Sequence, residues 1–189
     1  MKLVAGLGNP GKEYEGTPHN VGFKVVDILL KELGLSNFQK KFHSQYLRTS
    51  LKGDACIFLK PQTYMNRSGL AVVECVNYYN IRVEDIVVIS DDIELPPGKA
   101  RFRDGGGHGG HNGLRSIIDS LGNRDFRRVR IGIGRPSGER NVAGHVLNRW
   151  SIDEEKSALK GIDRVLTELI SFLETSKFEN VSFSATEQV

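Results

Sequence analysis

Two of the histidines sit where chemistry is plausible. His19 ends the polar loop that follows the apolar run Met1 to Ala5, just where a helical pattern begins. His111 lies in Gly105-Gly-Gly-His108-Gly-Gly-His111-Asn112-Gly113, a glycine-rich stretch directly ahead of another helical pattern. Asp91 and Asp92 close the run Ile86 to Ser90, and open α/β sheets place their sites at the carboxyl ends of strands. A carboxylate beside a histidine fixes its tautomer and raises its basicity, giving a general base that needs no serine or cysteine nucleophile. Asn9, Asn66 and Asn112 add side-chain amides, which can donate to a developing oxyanion.

The same residues admit other readings. Gly6-Leu-Gly8-Asn-Pro-Gly11 satisfies G-x-G-x-x-G after a strand, but a dinucleotide site needs a helix to open at its third glycine. Here Lys12 to Pro18 carries no amphipathic period. His108 and His111 with Asp91 or Asp92 could form a metal site, although that spacing matches no helical zinc motif. The glycine loop fits better as a substrate-lining segment whose helix start faces an anion. Asn20 and Asn112 could be N-caps, Asp92 could be exposed, and His43 and His145 read as structural or surface residues. Spacing alone leaves a His–Asp hydrolase, a metallohydrolase and an RNA-binding module open.

The elements that position these residues follow from periodicity. Residues 2–6 read as a buried strand. From Asn20, the positions Phe23, Val26, Leu29, Leu30 and Leu33 recur at helical spacing, with Gly34 as a stop. His43 to Leu51 and Ala55 to Leu59 form a hairpin about Lys52-Gly53-Asp54. A helix runs from Ser68 to about Tyr79. Asp85 to Asp92 is the strongest strand, apolar enough to be buried on both faces. Lys99 to Arg103 and Val129 to Ile133 are further strands, separated by a helix through Leu114, Ile117, Ile118 and Leu121. The capping box Ser151-Ile-Asp-Glu154 opens the longest predicted helix, striped by Leu159, Ile162, Val165, Leu166, Leu169, Ile170 and Leu173. The alternation predicts a single α/β domain over residues 1–178, a mixed central sheet with helices on both faces. Residues 179–189 read as a flexible C-terminal tail.

Composition agrees with that frame. A chain of 189 residues with 39% hydrophobic and 26% charged residues can bury roughly 70% of its unfolded surface as one domain. No apolar run approaches the ~20 residues of a membrane span, and Met1 to Ala5 is too short for a signal peptide. Cys56 and Cys75 match no metal spacing and read as reduced thiols, which points to the cytoplasm. The net charge of +3 is unevenly spread: residues 99–140 hold ten basic and four acidic side chains, +6, leaving −3 elsewhere. Most of these cations are arginines, which suit bidentate phosphate contact.

Four long blocks, in order, resemble the bacterial-type peptidyl-tRNA hydrolase family: LVAGLGNPGKEYEGTPHNVGF (3–23), KPQTYMNRSG (60–69), SDDIELPPGKARFRDGGGHGGHNGLRSI (90–117) and RVRIGIGRP (128–136). The resemblance implies a mixed α/β fold that acts as a monomer, without metal or other cofactor, on the ester joining a peptide to the terminal ribose of tRNA. It implies His19 as the general base and Asp91 as the acid that orients it. Asn9, Asn66 and Asn112 match the site amides, Met65 lines the cleft, His111 matches the second histidine of the glycine loop, and Tyr14 matches an aromatic residue near the site. Arg103 and Arg130 match positions that grip the tRNA 5′-phosphate end, with Arg101 nearby. One departure stands out: the residue before the base is usually arginine and here is Pro18. Proline should push Thr17 into an extended conformation, stiffen the loop and remove a cation from its mouth.

Overall fold

The computed structural model describes residues 1–136 and 141–184. Its centre is β1 (Lys2–Gly6), which pairs in parallel with β4 (Asp54–Pro61) on one side and β5 (Ile86–Asp92) on the other. The hairpin of β3 (Ser44–Leu51) on β4 and the short β2 (Gln39–Lys41) extend one half antiparallel. On the other half, β7 (Arg127–Gly132) pairs in parallel with β5, and β6 (Lys99–Asp104) runs antiparallel to β7. The mixed sheet has the order β2-β3-β4-β1-β5-β7-β6-β8, with β8 (Ser182–Ser184) at its edge.

Both faces are covered, which explains why the central strands are apolar throughout. Val4, Phe58, Val87 and Ile89 point to the layer formed by α1 (Val21–Glu32) and α6 (Ile162–Thr175). Leu3, Ile57, Ile86 and Val88 point the other way, against α2 (Ser68–Tyr79) and α3 (Asn112–Leu121). Each such fully buried side chain contributes on the order of 1.5–3 kcal/mol, offset by the entropy of ordering it. Helix α1 sits so close to the exit of β1 that a Cβ on Gly6 would lie 2.3 Å from the Gly22 carbonyl oxygen. That contact, rather than nucleotide binding, explains the first glycine of the G-x-G-x-x-G run. Gly11 leads only into a 3-10 turn, Lys12–Tyr14, and no α-helix begins before Val21.

Three expectations need correction. The capping box at Ser151 is present, but it opens the short α5 (Ile152–Ala158). Gly161, at φ 75°, breaks the chain before α6, so the predicted single helix is two. The sequence also gave no sign of α4 (Val142–Leu147). The segment after Phe178 is not simply a tail: Ser182–Ser184 pairs with β6, and Phe183 is buried against Phe102 at 5.5 Å. A single large apolar residue among polar ones left too short a pattern to read as a strand. Residues 185–189 of the predicted tail lie outside the described residues. No helix among the described residues is long and apolar enough to cross a membrane.

Candidate active site

The parallel strands β1, β4, β5 and β7 all end at the same side of the sheet, and connections diverge on either side of β1 and β5. Open α/β sheets form their crevice at such a point. Asp91, at the end of β5, is 5% exposed and lies at the bottom of the crevice. Its Oδ1 is 2.8 Å from His19 Nδ1 and 2.9 Å from His111 Nε2. The two rings lie 5.2 Å apart.

Helix α3 decides which nitrogens carry protons. His111, not Asn112, is its N-cap: Nδ1 accepts from the backbone N–H groups of Gly113 (3.1 Å) and Leu114 (3.2 Å). With Nδ1 an acceptor, neutral His111 carries its proton on Nε2 and donates it to Asp91. His19 donates Nδ1–H to the same oxygen, so its Nε2 is left with a free lone pair. Burial alone would push the Asp91 carboxyl up, but its electrostatic attraction to His111 and His19 and the hydrogen bonds from both rings outweigh it. They hold the group well below the usual carboxylate range.

Asn9 is held just as firmly. Its backbone N–H donates to Asn20 Oδ1 (2.8 Å) and its carbonyl accepts from Asn20 Nδ2 (3.0 Å). Its own Oδ1 accepts from the Met65 N–H at 2.7 Å, which turns its Nδ2 into the group available for a substrate oxygen. Asn20 stands at the N-cap of α1, as expected, but its side chain makes no capping hydrogen bond and clamps Asn9 instead. Thr17 is extended, at φ −91° and ψ 152°, as Pro18 requires, and Pro18 is buried at the start of the 3-10 turn that carries His19.

A cleft of about 470 Å³ opens over the Asp91 cluster. His19, Asn112, His108 and Arg130 contribute polar groups to it, and Val142 and Leu147 of α4 form an apolar wall. Asp92, which sequence reading allowed to be exposed, is buried: its Oδ1 accepts from the Glu94 N–H at 2.9 Å, and its Oδ2 lies 2.8 Å from Arg130 Nε. The glycine loop that roofs the cleft hangs on Arg128, which is 2% exposed. Its guanidinium donates to the carbonyls of Gly106, Gly107 (2.5 Å) and Arg124 (3.1 Å) over the Phe126 ring. Gly106 presents its carbonyl at φ 120°, which a residue with a Cβ rarely adopts. Burial, with the charges of Arg130 and Arg124, pulls the Arg128 guanidinium down to about 10.

A family model described as peptidyl-tRNA hydrolase matches residues 3–188. The chain belongs to the peptidyl-tRNA hydrolase family. A peptidyl-tRNA hydrolase of Caldanaerobacter subterraneus subsp. tengcongensis is 48% identical over 174 residues, covering 92% of this chain and 94% of the relative. One from Staphylococcus aureus is 44% identical over 181 residues, covering 96% and 95%. The crystal structure of the Acinetobacter baumannii peptidyl-tRNA hydrolase superposes with a TM-score of 0.86 at 39% identity, covering 93% of this chain and 89% of the other.

Within this peptidyl-tRNA hydrolase fold the sequence-predicted residues fall into two groups. His19, Asp91, His111, Asn112 and Arg130 line one cleft, and Asn9 and Met65 are bonded together beside it. Asn66 is exposed in the 3-10 turn Met65–Arg67, and Tyr14 packs edge-on against Tyr64 at 6.1 Å. Arg103 is not in the cleft: it lies on β6, with Nη1 on the Phe102 carbonyl (2.8 Å) and Nη2 3.5 Å from Ser182 Oγ. It is the outer member of a stripe, since Arg101 pairs across from Arg130 and Arg103 from Arg128. His43 faces Glu74 at 3.6 Å, and His145 lies 2.9 Å from the Gly134 carbonyl, both in structural roles.

The metal reading does not survive this geometry. Among the described residues, the histidine and acid groups that approach one another, to within 4.8 Å, are His19, Asp91 and His111 rather than His108. His111 Nε2 must keep its proton while Nδ1 caps α3, so it offers no lone pair to an ion. The sequence marks Asp92 as the second carboxylate at a strand end and Asn20 as a cap, but neither the hold of Asp92 on Arg130, the clamp of Asn20 on Asn9, nor the strut of Arg128 is legible there.

Proposed function

We propose that this chain hydrolyses the ester between the peptide and tRNA of peptidyl-tRNA, with His19 as general base and without a metal, as a monomer in the cytoplasm. The observation that carries the reading is the shared Asp91 oxygen. It orients His19 through Nδ1, and the N-terminus of α3 fixes His111 as a second donor to it. His19 Nε2 takes a proton from water as the water oxygen attacks the ester carbonyl carbon. The carbon–oxygen bond to the ribose then breaks, and the proton passes to the departing tRNA hydroxyl. Asp91 stays ionised and stabilises the imidazolium in between. Asn9 Nδ2, with Asn66 and Asn112 nearby, supplies donors for the carbonyl oxygen as it gains charge.

Family membership supports the substrate class, and the division of the surface supports its orientation. Arg130, aimed into the cleft by Asp92, and His108 form the side that suits the phosphates and ribose of the tRNA end. Arg101 and Arg103 continue that cationic track along β6. Neutral amides suit the peptide. A free α-ammonium placed among amide donors would lie unpaired, so unblocked aminoacyl-tRNA should be a poor substrate.

The test is incubation with N-acetylated aminoacyl-tRNA in EDTA, followed by an assay for released N-acetyl amino acid. Hydrolysis undiminished by chelator is expected, with the unacetylated substrate cleaved far more slowly. Loss of activity in EDTA would overturn the metal-free mechanism, and equal rates on the two substrates would overturn the amide-based selectivity. Sedimentation of the chain alone and with tRNA checks the monomer assignment.

A further inference from the structure

The turn from His108 to His111 builds the same device twice. Its central residues, Gly109 and Gly110, have φ of 56° and 82°, and the His111 N–H donates to the His108 carbonyl at 3.0 Å. Two successive positive φ angles suit glycine alone, which accounts for the pair between the histidines. Each flanking ring is tied to the backbone in one way: His111 Nδ1 accepts from the Gly113 N–H, and His108 Nδ1 accepts from the Gly110 N–H at 3.0 Å. With Nδ1 an acceptor, the proton of neutral His108 stands on Nε2, as it does in His111. The two differ in where that proton goes. His111 gives it to Asp91, whereas no group among the described residues accepts from His108 Nε2.

We propose that His108 Nε2–H donates to the 2′-hydroxyl of the terminal ribose, which makes His108 the residue that recognises the sugar beside the scissile ester. The assignment rests on the hydrolase reading above and deepens it. His108 is half-buried and lines the same cleft as His19, Asp91 and Arg130. The ends of a tight turn lie within about 7 Å of each other, so its backbone stands next to that of His111. On the other flank, Arg130 Nη2 lies 3.9 Å from where a Cβ on Gly109 would stand. The donor is therefore placed beside both the Asp91 cluster and the cation that suits phosphate. The ester carbonyl has the amides and the phosphates have the arginines, which leaves the hydroxyl on the neighbouring ribose carbon without a partner. A single neutral N–H, with its second nitrogen already engaged, matches a hydroxyl better than an anion. That hydroxyl is also what separates RNA from DNA at a given site.

The experiment measures kcat/KM on two N-acetylaminoacyl-tRNAs esterified at the 3′ oxygen, one ending in ribose and the other in 2′-deoxyribose. The quantity read is the ribose-to-deoxyribose ratio, compared between native and variant chains, so that the hydroxyl's intrinsic effect on the ester cancels. His108→Ala removes the donor, and His108→Phe removes it while keeping a ring of similar shape. In both variants the ratio should fall by about tenfold from its native value. A ratio equal to that of the native chain, whether the two rates are intact or reduced together, overturns the assignment. Rates reduced together would make His108 a support of the loop or a proton donor to the departing oxygen. A native chain that cleaves neither ester would instead overturn the hydrolase reading beneath it.

Discussion

His19→Ala should reduce turnover below detection while tRNA affinity and the thermal midpoint stay close to native. The ring makes one side-chain hydrogen bond, and its loss leaves Asp91 still paired with His111. Single-turnover kinetics and a binding titration check this; a variant retaining a tenth of native activity would reassign the base. Asp91→Asn should cost on the order of 10³ in kcat: the amide oxygen could still accept from both rings, but without a negative charge it cannot stabilise the imidazolium that forms. The acid limb of the pH–rate profile is constrained as well. Asp91 has a depressed pKa in the fold, so the stability it contributes is complete above the ordinary value of about 3.9 and is lost only as pH falls towards the folded value. A limb seen above that range therefore does not come from Asp91, whose contribution to the unfolding midpoint should there be constant. At this scale the sequence exposed the chemical groups but not their partners. His19 and Asp91 stand out by position, whereas the Asn20 clamp and the His111 tautomer depend on contacts that only the folded chain creates.

The glycine loop and α3 act as a unit, and Arg128 is the strut between them and the sheet. Arg128→Lys keeps the charge but cannot fork among three carbonyls. Losing one charge-assisted hydrogen bond costs about 1.5–3 kcal/mol of loop order, so kcat/KM should fall by about tenfold or more. Amide exchange across Gly105 to Gly110 should accelerate, with far-UV circular dichroism unchanged; exchange at the native rate would remove Arg128 from this role. Strand β8 gives a second element-level outcome. Phe183→Ala should destabilise by about 3 kcal/mol, read as a lower urea midpoint at similar slope, where a true tail residue would change nothing. The strong elements were legible because their periods are long: β5, α1 and α3 follow their apolar patterns closely. Helix α4 and β8 were not, because each is too short to establish a period. The α5–α6 break was hidden by a stripe that continues in phase across Gly161.

Across the whole molecule, the excess cation content of residues 99–140 becomes a track because β6 and β7 are neighbours and antiparallel. Arg101, Arg103, Arg128 and Arg130 thereby stand on paired positions, Arg128 buried under the glycine loop and the other three partly exposed. Replacing Arg103 and Arg130 together with Ala should chiefly raise KM and flatten its dependence on salt by about one unit of log–log slope for each phosphate contact removed. Unchanged salt dependence would place the tRNA elsewhere. The charge imbalance was visible in the sequence, but its geometry was not: strand order decides which arginines align, and that order is set by how the two halves of the sheet diverge from β1 and β5.

The single Asp91 oxygen that accepts from two imidazoles also gives the site a spectroscopic handle. Both ring N–H groups are shielded from solvent, with side chains only 12% and 10% exposed. Protons held in such short, charge-assisted bonds exchange slowly with water and resonate at low field, clear of the amide envelope. The resting enzyme should therefore show two downfield proton signals, one from each ring, of which Asp91→Asn removes or shifts both. The signals report the two hydrogen bonds directly, with no substrate present.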